Sequence, residues 1–216
     1  MGLFLVIQSY FFVQVVWYLE FNPKETAFMR AEKIRLSSLN PPQGITQKWV
    51  PYEKMSLSIK KAVIASEDAN FTVHDGVDWD ALEKAAKENA ANGKIKRGGS
   101  TITMQLSKNL FLSAQQSYIR KAQEMLITGM LEVVLSKKRI LEIYLNVAEW
   151  GVGIFGIEAA ARHYFGVSAA QLSPQQAAWL AAILPAPRRF DQMRNSPMAT
   201  RKANIIVYRM RMVNVP

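Results

Sequence analysis

Residues 59–68 read Ile-Lys-Lys-Ala-Val-Ile-Ala-Ser-Glu-Asp, and this stretch organises both the predicted fold and the predicted site. Its small and apolar residues recur at i, i+3, i+4 and i+7, the spacing of one helix face: Ile59, Ala62, Val63 and Ser66. Glu67 falls at i+8 on that same face, whereas Asp68 is rotated by about 100° away from it. The pattern predicts a helix that ends near Phe71 and carries an acid on its buried side.

Glu67 is poorly placed for a purely structural role. It joins an apolar face, and it lies near a helix C-terminus, where the helix dipole disfavours negative charge. Partial burial and the dipole both favour proton uptake by a carboxyl, as a general base working near neutral pH requires. We therefore expect Glu67 to act as a base. An ordinary acid at a frayed helix end is the alternative that this segment leaves open.

A basic, glycine-containing segment follows at 94–105, reading Lys-Ile-Lys-Arg-Gly-Gly-Ser-Thr-Ile-Thr-Met-Gln. Ser100 or Thr101 can cap a helix that continues through Ile102. The free backbone N–H groups at such a helix start, with Lys108 two turns in, would form an anion site suited to phosphate. The G-x-x-x-x-G-K-[ST] spacing of a P-loop is absent. A solvated basic loop before an ordinary capped helix is the alternative.

Four segments that carry polar and charged residues occur in order, and they are Glu67–Gly76, Gly98–Asn109, Arg120–Glu124 and Lys137–Asn146. Together they closely resemble the ordered motifs of the peptidoglycan glycosyltransferases, and the resemblance extends from about Pro51 to Pro197. It implies a mainly α, lysozyme-like glycosyltransferase domain with a small mobile membrane-proximal lobe. It also implies the monofunctional type of enzyme, which has no transpeptidase module.

The resemblance implies polymerisation of lipid II into β-1,4-linked glycan strands, with inversion at the anomeric carbon and release of undecaprenyl diphosphate. Glu67 is then the base. Glu124 is a second catalytic acid that either holds a divalent ion, Mg²⁺ or Mn²⁺, or orients neighbouring cations, and no organic cofactor is expected. The residues implied to bind substrate are Asp68, Phe71, His74, Gly98, Gly99, Ser100, Thr101, Thr103, Gln105, Lys108, Asn109, Arg120 and Lys121. For Ser100 and Thr101, capping of the helix is an equal alternative to substrate binding.

Spacing alone would not have selected Arg120 or Glu124. They lie at i and i+4 on a predicted helix over residues 118–135. An exposed pair of this kind contributes only about 0.3–0.5 kcal/mol, and an ordinary surface ion pair explains it adequately.

Residues 3–19 contain no charged side chain and are rich in aromatic and branched apolar residues. Seventeen helical residues span about 26 Å, the short end of a membrane crossing, and Trp17 and Tyr18 suit an interfacial belt. We expect an uncleaved transmembrane anchor over 1–20, a proline-broken connector over 21–50 and the glycosyltransferase domain over 51–216. A buried core helix is the alternative for the first segment.

The orientation of this anchor is open to two interpretations. Basic residues at 24–35 would place the bulk of the chain in the cytoplasm. The resemblance implies a single-pass protein of the bacterial inner membrane with its catalytic domain on the periplasmic side, and we adopt that expectation. A basic leader missing from the start would reconcile the two.

Helical periodicity dominates the remaining sequence, and it contains no convincing hairpin signal. The glycines at 151, 153 and 156 match G-x-G-x-x-G, but they follow a predicted helix rather than a strand. We therefore reject a dinucleotide site and expect a tight turn between packed helices. The chain has no cysteine and only two histidines, which excludes a disulfide framework and a thiolate metal site.

The formal net charge of +10 fits an anionic partner: nucleic acid, acidic phospholipid or a phosphate-bearing substrate. We expect lipid II, the growing glycan chain, the membrane and proteins of cell-wall synthesis or division, and no nucleic acid, since no DNA-reading pattern accompanies the charge. The rival functions are a lysozyme-like peptidoglycan hydrolase, a nucleic-acid-binding module and a non-catalytic membrane-tethered scaffold.

Overall fold

The computed structural model describes residues 2–92, 99–115 and 117–216, with the backbone alone for residues 89–92. The structure is mainly helical, as predicted, whereas a lysozyme-like core with a mobile lobe stays a prediction. The helices are α1 (Gly2–Trp17), α2 (Ala27–Ser37), α3 (Leu57–Glu67), α4 (Trp79–Asn92), α5 (Ile102–Phe111), α6 (Tyr118–Val134), α7 (Lys137–Val147), α8 (Ile157–Phe165), α9 (Pro174–Ile183), α10 (Pro187–Asp191) and α11 (Pro197–Arg209).

Most helix bounds follow the sequence pattern closely because caps and breakers are local signals. Ser173 forms a capping box at the start of α9, with Pro174 in the first turn. The clearest difference is at α3, which ends at Glu67, four residues before the predicted end. Asp68 leaves the helix with an extended backbone, and its carboxylate bonds to the start of α5 instead.

A small sheet, which the sequence pattern did not predict, joins distant parts of the chain. β1 (Thr46–Gln47), β2 (Glu149–Gly151) and β3 (Ile154–Phe155) lie in the order β1-β3-β2, with β1 parallel and β2 antiparallel to β3. The expectation of no hairpin was therefore wrong, because strands of two or three residues are too short to show alternation. Gly156 follows β3 with φ +78°, and a Cβ there would lie 2.6 Å from the Asn146 carbonyl oxygen.

Two helix groups form the core and meet at the site. In one group α3 packs against α9 and α11, and in the other α5 packs against α6 and α7. α7 is almost wholly buried from Ile140 to Val147, and α3 buries Ile59 and Ala62–Ala65. Burial of this apolar surface is the main stabilising contribution. It brings the C-terminal end of α3 against one face of α5.

The N-terminal helix differs from the predicted anchor. α1 has sixteen residues, and it packs against α6, where Gln8 and Gln123 exchange two amide hydrogen bonds of 2.9 and 3.0 Å. Val15 is fully buried. Within residues 2–92, 99–115 and 117–216, the structure contains no helix whose length and apolar character suffice for a membrane crossing. The predicted transmembrane helix is thus not supported.

Candidate active site

Glu67 lies half-buried at the last residue of α3, and its hydrogen-bond partners are neutral. The Ser66 hydroxyl donates to Oε1 at 3.0 Å, and the Gln105 amide Nε2 donates to Oε2 at 3.1 Å. The Tyr144 hydroxyl donates to Gln105 Oε1 at 2.8 Å, which turns the NH₂ group of that amide toward Glu67. Burial, together with the charges of Glu67 and Asp68, raises the pKa of Tyr144 well above its ordinary value. Tyr144 therefore stays a donor at neutral pH.

One face of α5 forms the floor beside this carboxylate. Gln105, Lys108 and Asn109 lie at i, i+3 and i+4, and each is half-buried. The polar side chain that holds Glu67 and the cation Lys108 are therefore about one helical turn apart, or roughly 5 Å. The other side chains of α5 pack inward, and these are Ile102, Thr103, Met104, Leu106, Ser107 and Leu110.

Lys108 is the cation on this face that has no counter-ion. Burial lowers the pKa of its ammonium group, Glu124 raises it, and the positive charges of Arg120 and Lys121 lower it further. Among the described residues no carboxylate lies within ion-pair distance of Nζ, and the nearest aromatic ring is that of Phe28, with its centroid 5.5 Å away. An uncompensated, partly buried cation favours an anionic ligand.

Glu124 lies beneath this cluster and is fully paired. It is 2% exposed; its Oε2 accepts from Arg120 Nη1 at 2.7 Å and its Oε1 from Lys121 Nζ at 2.5 Å. Lys121 also reaches the Ser100 hydroxyl at 3.4 Å. The buried Nε of Arg120 has no hydrogen-bond partner among the described atoms. The interpretation of this pair as an ordinary surface ion pair is therefore wrong, because Glu124 is buried.

These contacts do not suit Glu124 as a metal ligand. Both of its oxygens already accept hydrogen bonds from cations. Within the described residues no group of three or more His, Asp or Glu side chains is placed to hold a metal ion. The geometry therefore favours the second expectation for Glu124, the orientation of Arg120 and Lys121.

Asp68, His74 and Thr101 connect the loop after α3 to the start of α5. His74 Nδ1 accepts from the Gly76 N–H at 3.1 Å, so Nε2 carries the proton and donates to Asp68 Oδ1 at 2.8 Å. Asp68 Oδ2 accepts from the Ile102 N–H at 3.0 Å. Thr101 caps α5 and donates to the Gly76 carbonyl. In this structure all three side chains hold the floor helix in place.

Two of the expected substrate-binding residues point away from the α5 face. Phe71 is fully buried under the Lys137 ammonium, 4.7 Å from the ring centroid. Thr103 is fully buried and donates to Glu132 Oε1. Gly99 packs against Leu82, where a Cβ would lie 2.8 Å from Cδ1. Gly98 and the start of the basic segment, residues 94–98, lie outside the described residues.

Tyr144 and Lys202 belong to the site although sequence reasoning gave them no role. Tyr144 lies in a motif that carries the resemblance, which was the available signal. Lys202 of α11 donates to the Ala182 carbonyl at 3.4 Å; burial lowers the pKa of its ammonium, and the negative charge of Glu67 raises it. The sequence shows α11 only as a basic helix, so no local signal places Lys202 near Glu67.

The sequence matches known proteins over most of its length. Residues 33–211 match the family model described as Transglycosylase. The chain belongs to the transglycosylase family. This transglycosylase is 54% identical over 214 residues to the biosynthetic peptidoglycan transglycosylase of Herminiimonas arsenicoxydans, covering 99% of this chain and 93% of that protein. The protein of the same name from Bordetella pertussis is 53% identical over 216 residues, with coverages of 98% and 89%.

A third relative with that name, from Methylobacillus flagellatus, is 50% identical over 214 residues and covers 99% of this chain and 93% of its own length. The predicted family is thus confirmed, and this transglycosylase is a glycosyltransferase. The rival interpretations as a nucleic-acid-binding module or an inert scaffold are set aside by the family match.

Proposed function

We propose that this transglycosylase polymerises lipid II into β-1,4-linked glycan strands, with inversion at the anomeric carbon and release of undecaprenyl diphosphate. The observation that supports this most is the Gln105 hydrogen bond to Glu67, because it ties a free carboxylate to the helix face that carries Lys108. A base held by Gln105, with the unpaired cation Lys108 about one turn further along α5, suits a reaction in which a hydroxyl attacks and a diphosphate leaves.

Glu67 is the proposed general base. It takes the proton of the 4-hydroxyl of the incoming N-acetylglucosamine as that oxygen bonds to the anomeric carbon of the N-acetylmuramic acid that ends the growing chain. The hydrogen bonds from Ser66 and Gln105 orient the carboxylate without neutralising its charge. Such a base contributes about 10²–10⁴-fold to the rate.

The leaving group is stabilised by positive charge rather than by an acid. As the bond from the anomeric carbon to the diphosphate oxygen breaks, its electron pair passes to a group that is already anionic. Lys108 and Arg120 are the proposed contacts, with Lys121 alongside, and Glu124 holds Arg120 and Lys121 in place. Electrostatic stabilisation by preorganised charges of this kind is usually the largest single contribution to catalysis. Attack opposite the leaving group converts an α-linked donor into a β-linked product.

A divalent ion remains part of the proposal only as a partner of the substrate. Because Glu124 is already paired with two cations, Mg²⁺ or Mn²⁺ would be held chiefly by the diphosphate oxygens, which hard cations favour. No step above requires the ion. Addition of EDTA, with activity measured on metal-free substrate, separates a stimulating ion from an essential one.

The proposed location is the bacterial inner membrane, with the catalytic domain on the periplasmic side and a single-pass attachment through the N-terminal segment. The support is the apolar surface that α1 leaves exposed, since such patches mark contact with a membrane or a partner. It includes Leu3, Phe4, Leu5, Val6, Ile7, Tyr10, Phe12, Val13, Val16 and Trp17. Alkaline extraction of membranes and protease access in spheroplasts test attachment and side. Proteins of cell-wall synthesis or division are proposed partners.

Turnover of labelled lipid II by the intact detergent-solubilised protein, with analysis of products, tests the proposal. We expect long glycan strands that lysozyme digests, and loss of the lipid diphosphate substrate. Release of soluble fragments from purified cell walls without consumption of lipid II would instead favour the hydrolase. No reaction with either substrate would overturn the enzymatic proposal.

A further inference from the structure

A cavity of about 250 Å³ lies between α2 and the C-terminal end of α5 and has no role in the chemistry described above. Its walls are mostly apolar, with Phe28 and Ala31 from α2 and Phe111 and Leu112 from the end of α5. Arg30 and Arg188 also line it. An apolar cleft with a few charged groups at its edge is the usual form of a ligand site.

The cavity lies next to Lys108 along α5, although Lys108 itself is not one of its lining residues. Lys108, Phe111 and Leu112 lie at i, i+3 and i+4, so they share one face of the helix. The Phe28 ring forms a wall of the cavity, and its centroid is 5.5 Å from Lys108 Nζ. A ligand with an anionic group on Lys108 would therefore enter apolar surroundings within one helical turn.

The charges around the cavity favour the same kind of ligand. Arg30 is exposed, and no carboxylate of the described residues is within ion-pair distance of it. Arg188 is held by Glu32 at 2.8 Å and by Glu149 at 2.7 Å. The walls offer few partners for sugar hydroxyls, and burying these without hydrogen bonds is costly. An amphiphile with an anionic head and a hydrocarbon tail fits both features.

We propose that this cavity binds the first isoprene units of a polyprenyl diphosphate whose phosphates are held at Lys108 and Arg120. This inference rests on the proposed function and adds the part of the substrate that the chemistry does not touch. The volume is below the roughly 300–1,000 Å³ of sites for drug-sized ligands, so the cavity accepts only the chain segment next to the diphosphate. The remaining isoprene units stay outside it.

A direct binding measurement tests the cavity without catalysis. Equilibrium dialysis of the intact protein compares farnesyl diphosphate with inorganic diphosphate, which shares the head but lacks the tail. We expect farnesyl diphosphate to bind at least about tenfold more tightly, because the apolar tail leaves water. Equal affinities for the two probes would overturn the proposal.

A cavity-filling variant with a matched control locates that binding. Ala31→Trp places a large side chain at an exposed position that lines the cavity, and Ile34→Trp introduces the same residue at a 71%-exposed position of α2 that does not. Ala31→Trp should remove the preference for farnesyl diphosphate and raise the KM for lipid II by roughly tenfold with kcat within about twofold. Ile34→Trp should leave both unchanged. Ala31→Leu serves as a milder filling variant if Ala31→Trp does not fold.

The outcomes separate this inference from the function on which it rests. Suppose that the wild-type protein polymerises lipid II, and that Ala31→Trp or Ala31→Leu changes neither the KM nor the preference for farnesyl diphosphate. The proposed role of the cavity would then be wrong, and the proposed function would stand. Failure of the wild-type protein to use lipid II would overturn the function. In that case the dialysis result alone would decide whether the cavity takes a prenyl diphosphate.

Discussion

Glu67 and Glu124 are both helical glutamates beside α5, yet their surroundings are opposites. Glu124 is buried, and each of its oxygens accepts a hydrogen bond from a cation. Glu67 is half-buried, and a hydroxyl and an amide are its hydrogen-bond donors. The carboxylate of Glu124 is therefore the counter-ion of two cations, whereas that of Glu67 is held only by neutral hydrogen-bond donors. This difference is the reason for the two proposed roles, a base for Glu67 and the orientation of cations for Glu124.

The largest expected effect follows from removing Glu67, the proposed base. Glu67→Gln keeps the shape of the side chain, so we expect normal unfolding behaviour and a fall in lipid II polymerisation of about 10²–10⁴-fold. Glu53→Gln, at an exposed ion pair with Lys138, is the matched control and should be fully active. If Glu67→Gln retained more than about a tenth of the wild-type rate, Glu67 would not be the base.

Glu124→Gln should lower both the stability of the folded protein and its activity. It leaves Arg120 and Lys121 without their shared counter-ion, and breaking a buried pair is strongly destabilising. Because Lys121 is partly exposed, we expect a loss of up to about 3 kcal/mol in the free energy of unfolding, together with a higher KM for lipid II. Denaturant titration and steady-state kinetics measure the two effects. If Glu124→Gln were as stable as Glu67→Gln, the buried ion pairs of Glu124 would not contribute to stability as proposed.

Lys108→Ala tests the anion site. Loss of a charge-assisted contact should weaken binding of the diphosphate lipid by roughly 10–100-fold, whereas Glu67→Gln should bind it normally. Lys87→Ala, which removes an exposed lysine of α4, controls for net charge. Equal binding by the Lys108 and Glu67 variants would count against a diphosphate site on this face of α5.

The pH dependence of binding should reflect the loss of the positive charge of Lys108. Burial lowers the pKa of Lys108, so its positive charge is lost at a lower pH than that of an ordinary lysine. Affinity for the diphosphate lipid should therefore fall as pH rises into the alkaline range, and Lys108→Arg should move this fall to higher pH, since arginine stays charged. If the affinity of the wild type and of Lys108→Arg fell over the same alkaline pH range, the fall would be due to another group.

The smallest expected effect concerns the orientation of Gln105. Tyr144→Phe removes the hydroxyl that donates to Gln105 Oε1, which frees the amide to rotate away from Glu67. We expect a loss of about 1 kcal/mol, or roughly fivefold in kcat, with little change in KM. A change confined to KM would indicate that Tyr144 serves binding rather than the base.

Sequence reasoning located most helices and most of the α5 face, because both depend on local signals. Helix periodicity and caps come from contacts between residues three or four apart, so α6 lies where it was expected. Gln105, Lys108 and Asn109 share that spacing and do face outward together. The hairpin at β2 and β3 was missed because its strands are too short to show a pattern.

By itself, the sequence determined a mainly helical chain, its family and the acids and cations of the candidate site. Only the tertiary structure decided which acid is paired with cations, that Lys202 comes near Glu67, and that Thr103 faces Glu132 instead of the α5 floor. The physical reason is that periodicity is set within one helix. Burial, counter-ions and hydrogen-bond partners are set by segments tens of residues apart, which no local pattern records.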